Sequence, residues 1–209
     1  MELSLTLIII ILTSLISYYA WKNPEFIERW LFSPYIISRN GDYLRFLLSG
    51  FIHKDGTHLL FNMFTFYFFG TVVEQYMYYA FGPEAGLLAF LAFYLLAIVI
   101  ADIPTYLKEK NNPSYHALGA SGGTSATVFA SIILMPLSDI CIFGIFCLPG
   151  FILGMLFLAY AYYKGKLAND NINHDAHFFG AVFGIAVILL ISPQNAIYFW
   201  EEIKSFSLF

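Results

Sequence analysis

The sequence predicts an all-α, polytopic membrane protein: a six-transmembrane-helix bundle with a long first loop that dips into the membrane. Three observations predict it. The 209 residues are 59% hydrophobic and only 11% charged, whereas a soluble domain carries about a quarter charged residues. Mean hydropathy is +0.71. The apolar residues are gathered into runs near the length of about 20 residues that a spanning helix needs, and polar, proline- or asparagine-bearing stretches separate them. The formal net charge of −4 is small and argues against nucleic-acid binding.

The elements follow in order. Residues 3–21 supply the first span, read as a retained helix because a secretory signal would need a basic start and a small-residue cleavage site. Residues 22–57 carry much of the charge, and their short apolar pieces suit the membrane interface. Residues 58–79 form the second span, "FGPE" at 81–84 a tight connection, and 85–101 the third span. Residues 103–117 read as a polar loop with two prolines, and 118–137 as the fourth span. Residues 138–147 are either an interfacial hairpin or the beginning of the fifth span, which is secure over 149–163. Residues 164–175 form a loop and 176–192 the sixth span. The tail is too short and too charged for a seventh. One domain, 1–209, is expected. Cys141 and Cys147 are expected to be buried free thiols, since they have neither zinc spacing nor a disulfide framework around them.

Helix parity places the chemistry. Even-numbered spans run in one direction, so their N-terminal ends share one side of the bilayer. His58 and Asn62 open span 2, Ser121 opens span 4 and His177 opens span 6. Polar side chains inside spans are expensive and are functional candidates by default. His58 and Asn62 are four apart and share a helix face. Ala176, Gly180 and Gly184 form a small-x-x-x-small pattern that allows close backbone approach, and Gly122, Ser125 and Ala126 lie on the half-face of Ser121. A tight contact of spans 4 and 6 would therefore bring an imidazole to a hydroxyl. Such patterns mostly serve packing alone; the coincidence of a serine, two histidines and an asparagine at one end is what points to chemistry.

A serine hydroxyl needs a neighbouring base to attack a carbonyl, and neutral imidazole suits that task. The oxyanion that forms needs donors in place. The Ser121 amide lies at a helix start, where N–H groups lack intrahelical partners, and His58 and Asn62 can add side-chain donors. A third residue to orient the base is not evident. Asp175 is two residues from His177, so a helix points it elsewhere; Asp102 ends span 3 on the right side. A dyad is the simpler reading.

"GASG" at 119–122, "HKDGTHLLFN" at 53–62 and "AHFFGAVFG" at 176–184 together resemble the rhomboid family of intramembrane serine proteases, over essentially residues 1–193. The resemblance implies Ser121 as nucleophile, His177 as general base, and His58, Asn62 and the Ser121 amide as oxyanion hole. It implies helix packing by Gly122, Gly180 and Gly184, structural roles for Gly70, Glu74 and Arg45, and a cap over the site from the 164–175 loop. Substrates would be single-span membrane proteins cleaved within the lipid bilayer, with no cofactor, no metal and no nucleic acid. Two positions depart from the family's pattern. Leu44 stands where a tryptophan usually precedes the loop arginine. Ser125 stands where an aromatic residue packs on the histidine ring.

The resemblance also implies a bacterial inner membrane with the site facing outward. That puts Lys22, Arg29, Arg39, Arg45, Lys54, Lys108, Lys110, Lys164 and Lys166 outside and Lys204 inside, against the positive-inside rule. Two rival readings are a non-catalytic membrane binder on the same fold, and a transporter or metal channel using His53, His58, His116, His174 and His177.

Overall fold

The computed structural model describes residues 4–142, 144–167, 170 and 172–207. The chain begins with α1 (Leu5–Trp21). The first loop folds into α2 (Pro24–Trp30), α3 (Pro34–Asn40), α4 (Arg45–Leu48) and a 3-10 turn at Ser49–Phe51. Long helices α5 (Gly56–Phe81), α6 (Pro83–Glu109) and α7 (Ser121–Leu134) follow. Strands β1 (Asp139–Ile142) and β2 (Phe146–Pro149) pair antiparallel, and α8 (Gly150–Leu167), α9 (His174–Ile191) and α10 (Gln194–Ser205) close the chain.

Among the described residues, helices α1 and α5–α9 overlap the six apolar runs, and the protein is mostly helical; two of these helices are both long and apolar enough to span. By length and composition, α6 and α9 are each sufficient to cross a membrane, while α1 and α7 are apolar but shorter. Tyrosines dilute the hydropathy of α5 and α8, together with Asn62 and Glu74 in α5 and Lys164 and Lys166 in α8. The core lies among α5, α6, α7 and α9, around the fully buried Phe66, Phe90, Tyr94 and Met77.

Polar ties lock the outer pieces onto this core. The Glu74 carboxylate on α5 accepts the Leu5 and Thr6 amides at 2.7 and 3.0 Å and the Ser4 and Thr6 hydroxyls at 2.6 Å each. Those amides open α1 and have no intrahelical partner, so one carboxylate satisfies them and meets the positive end of the helix dipole. Gly70, one turn earlier, admits Thr6: a Cβ there would lie 3.1 Å from the Thr6 methyl group. In the first loop, Arg45 is buried and donates to Asp42 (2.8 Å) and to the Glu28 and Leu31 carbonyls (2.8 and 3.0 Å). That cluster fixes the loop without the missing tryptophan; Leu44 simply points outward, 66% exposed.

Two expectations need correction. The segment 103–117 is not all loop: α6 runs through Pro104 to Glu109. Proline costs a helix one N–H and a steric clash, but bonds from Thr105 and Lys108 to the α8–α9 region hold the next turns. The cysteines are neither buried nor free. The 138–149 segment turns as a hairpin whose register sets Cys141 opposite Cys147, and the two are disulfide-bonded and exposed.

Candidate active site

The seam between α7 and α9 sets the depth of the site. Gly180 sits against the Gly122 carbonyl and Gly184 against the Ala126 carbonyl, and a Cβ at either glycine would overlap that carbonyl. Both contacts advance by four residues in the same direction, so the helices are parallel and backbone touches backbone. A Cβ on Gly122 would in turn lie 2.6 Å from the Ala101 methyl group of α6. This register places Ser121, one residue before Gly122, and His177, one turn before Gly180, at the same end of the bundle. Neither the Ser121 hydroxyl nor the His177 ring is hydrogen-bonded to a described residue, and the two are not bonded to each other. Catalytic hydrogen bonds in unliganded sites are often long and tighten in the substrate complex.

The turn that presents Ser121 is held by His53, which opens the 53–62 stretch and whose only role named from the sequence was in the rival metal set. Ser121 is the first residue of α7, Ala120 its N-cap, and Gly119 has φ +116°. The Gly119 amide donates to the Ser49 carbonyl at 2.9 Å. The Ala120 amide donates to His53 Nε2 at 3.3 Å, and His53 Nδ1 lies 3.0 Å from Ser17 Oγ. With Nε2 accepting, the proton sits on Nδ1 and is donated to Ser17, whose hydroxyl donates onward to the Phe51 carbonyl at 3.1 Å. Burial first, then the neighbouring His58, pushes the His53 pKa down to about 3. The ring is therefore neutral at ordinary pH, as this tautomer requires.

His58 and Asn62 come from the first turns of α5. Asp55 caps that helix by accepting the His58 amide at 2.8 Å. The His58 ring lies against Gly119, where a Cβ would come within 2.6 Å of its Cε1 atom, so Gly119 is required both by its φ and by the ring. Asn62 is buried and donates one N–H to the His58 carbonyl at 2.9 Å. A side-chain amide has a second N–H, which this bond leaves uncommitted.

Around His177 the structure supplies two features that spacing alone did not show. The ring of Phe157 on α8 stacks on His177, with centroids 6.1 Å apart and planes at 26°. The N-cap of α9 is clasped to α6. Asn173 donates to Asp102 at 2.9 Å, and its carbonyl oxygen accepts the Thr105 hydroxyl at 2.8 Å and the Ala176 amide at 3.1 Å. Asp102 thus orients the start of the helix bearing the histidine rather than the imidazole itself. Asp175 points away from His177, as its spacing predicts, and pairs with Lys108 at 3.1 Å. Asp102, Asn173, Ser49 and Ser121 line one small cavity of about 20 Å³, room for roughly one water molecule.

The expected 164–175 cap loop is shorter than its bounds, because α8 continues to Leu167 and α9 begins at His174; residues 168, 169 and 171 lie outside the described residues. Of the remainder, Asp170 approaches the buried His174 Nε2 at 3.0 Å, and that bond holds its carboxyl below the usual carboxylate range. Among the described residues no three histidine, cysteine or acidic side chains gather as a metal site.

A model of the rhomboid domain matches residues 40–194. The chain belongs to the rhomboid family. It is 27% identical over 173 residues to the RHOMBOID-like protein 12, mitochondrial, of Arabidopsis thaliana, covering 75% of this chain and 50% of that protein. It is 26% identical over 192 residues to the Rhomboid-like protein 11, chloroplastic, of the same plant, covering 86% of this chain and 63% of that protein. The chain thus spans half to under two-thirds of the length of these relatives. As a rhomboid it is an integral membrane protein. The relatives are organellar, which gives no support to the expected bacterial inner membrane. The rhomboid match encloses His53, His58, Asn62, Ser121, Phe157, Asn173 and His177.

Proposed function

We propose that the protein is an intramembrane serine endopeptidase that crosses the bilayer six times and cleaves single-span membrane proteins through a Ser121–His177 dyad. The observation that carries this reading is the α7–α9 seam, whose glycines place hydroxyl and imidazole at one end of two parallel helices.

In this reading His177 takes the Ser121 proton as Oγ attacks the scissile carbonyl. The oxyanion is met by the Ser121 amide, the His58 ring and the free N–H of Asn62; each donor in such a hole is worth about 2.7–4 kcal/mol. The tetrahedral intermediate collapses, His177 protonates the leaving amine, and the acyl group stays on Ser121. A water molecule then attacks the ester as His177 takes its proton; the bond from the carbonyl carbon to Ser121 Oγ breaks, His177 returns the proton to Oγ, and the carboxylic acid leaves. The cavity beside Ser121 supports this step, because a bilayer interior offers no water of its own. A substrate helix must also unwind for its carbonyl to reach Ser121, so substrates with small or helix-destabilising residues near this membrane face are expected.

The test is cleavage of a transmembrane reporter in detergent by wild type, Ser121→Ala and His177→Ala. Either substitution is expected to lower cleavage by roughly 10⁴-fold or more with thermal unfolding unchanged. Substantial cleavage by either variant rejects the dyad. A non-catalytic binder is the second reading, favoured by the absence of a Ser121–His177 hydrogen bond. A wild-type protein that fails to react with a serine-directed fluorophosphonate, while still binding transmembrane helices, would establish it.

A further inference from the structure

We propose that Phe157 of α8 is a positioning residue for His177, so that the seating of α8 decides whether the base is aligned. The proposal rests on the dyad reading above and adds a control element to it.

The first observation is the stack. His177 makes no side-chain hydrogen bond to a described residue, so packing sets its ring orientation, and the torsion of such a ring is broad. Ser125, one turn after Ser121, is buried but offers no flat surface. Phe157 presents its face to the imidazole. The other ring nearby, His174, meets His177 at 79° and so cannot define its plane in the same way.

The second observation is that α8 is lightly seated. Three of its eighteen residues are buried (Gly150, Gly154 and Ala161), against eleven of fourteen in α7. Its outer face is exposed, with Met155 at 60% and Leu156 at 58%. The helix holds to α7 through Gly154 against Phe129 and Ile132 and Phe157 against Phe129 at 5.8 Å between centroids, and to α9 through the edge of Tyr160 against His174 and Tyr162 against Phe178. Segments with few buried apolar contacts open at the least cost. Any displacement of α8 from α7 and α9 removes Phe157 from His177. Such a displacement unlocks the base, so α8 must be seated for His177 to take the Ser121 proton.

The experiment uses the full chain in detergent, with Phe157→Leu, Phe157→Ala, Phe157→Tyr and the outer-face control Leu156→Ala. Two readouts are taken: reporter kinetics, and the imidazole NMR resonances of His177. Phe157→Leu keeps apolar bulk, so a loss there is not a loss of folding. Misplacement of a catalytic group by about 1 Å costs on the order of 100-fold, so a freed ring should lower kcat by about 10- to 100-fold with KM within about twofold in the Leu and Ala variants. The Tyr variant should retain most activity, and Leu156→Ala should match wild type. The His177 resonances should move in the Leu variant and stay in place in the control. Wild-type kcat in Phe157→Leu, a change confined to KM, or an unmoved His177 resonance overturns the proposal. If wild type itself shows no Ser121-dependent cleavage, the protease reading has failed, and the resonance comparison alone decides whether Phe157 orients the ring.

Discussion

Replacing His53 by alanine tests how the serine-bearing turn is held. Three groups at that position are fully buried: His53, Ser17 and Ala120. The substitution strands the Ala120 amide, since His53 Nε2 is its partner, whereas Ser17 keeps the Phe51 carbonyl. A stranded buried N–H costs about 1–3 kcal/mol. The emptied ring space adds a cavity cost of the kind that brings large-to-small changes to about 2–5 kcal/mol. Against a typical stability of about 5–15 kcal/mol, the variant folds but is markedly weakened. Because Ala120 adjoins Ser121, cleavage should fall with it. Denaturant unfolding in detergent measures the first effect and reporter cleavage the second. A loss below about 0.5 kcal/mol, the range of changes that remove no buried partner, would refute the role given to this histidine.

The same ring makes a pH prediction with a definite sign. His53 has a native pKa of about 3 against 6.5 for the free side chain. Between those values the unfolded chain binds the extra proton and the native one does not, so stability rises with pH there. The contribution is complete above about pH 6.5 and is lost as pH falls towards 3. At up to about 1.36 kcal/mol per pH unit, acidification to pH 5 removes about 2 kcal/mol through this group. Glutamine at 53 cannot titrate, so His53→Gln should flatten the acid limb by that amount; an identical pH dependence in the variant would contradict the assignment.

Three further outcomes follow from the same contacts. Gly184→Ala forces α7 and α9 apart at the Ala126 carbonyl; overpacking of about 1–3 kcal/mol should lower the unfolding temperature and cleavage together, although the residue lies two turns from His177. Asn173→Ala removes the α9 cap and the partner of Asp102 and Thr105, which should cost about 1 kcal/mol for the cap alone in thermal unfolding and reduce cleavage more than an exposed substitution on α10 does. Replacing Cys141 and Cys147 by serine should cost about 2 kcal/mol or less of stability while leaving cleavage within about twofold of wild type, because α7 sets the hairpin about 21 Å from Ser121.

What could be read from the sequence was whatever repeats along a helix. The apolar runs located the six long helices, and the i, i+4 spacing of Gly180 and Gly184 anticipated the seam that the structure forms. Asp55 caps α5 three residues before His58, so His58 and Asn62 fall on its first turns. Contacts between distant segments were not legible. Nothing in "IPTYLKEK" signals that Pro104 is tolerated, since the bonds that hold the helix beyond it come from residues 165–175. His53 looked like one of several scattered histidines; its partners, Ser17 and Ala120, lie 36 and 67 residues away. The hairpin disulfide was missed because an apolar setting suggests burial, whereas the short strands turn both cysteines outward.

The aromatic support of the histidine comes from a different helix than the one that sets its depth. An aromatic side chain on α7 would have held the ring from within the rigid centre of the bundle. Here α7 carries Ser125 at that level and packs to α9 through Gly122 and Ala126 against Gly180 and Gly184. The plane of His177 then has to be defined from the side, and α8 is the neighbouring helix that presents a ring to it. Close packing of α7 on α9 and support of the imidazole from α8 are two consequences of the same choice of small residues. The tighter seam fixes where serine and histidine sit; the transferred support leaves the orientation of the base to the least buried of the long helices around the site. On the proposed reading, that division predicts serine and histidine fixed in position yet aligned only while α8 is seated.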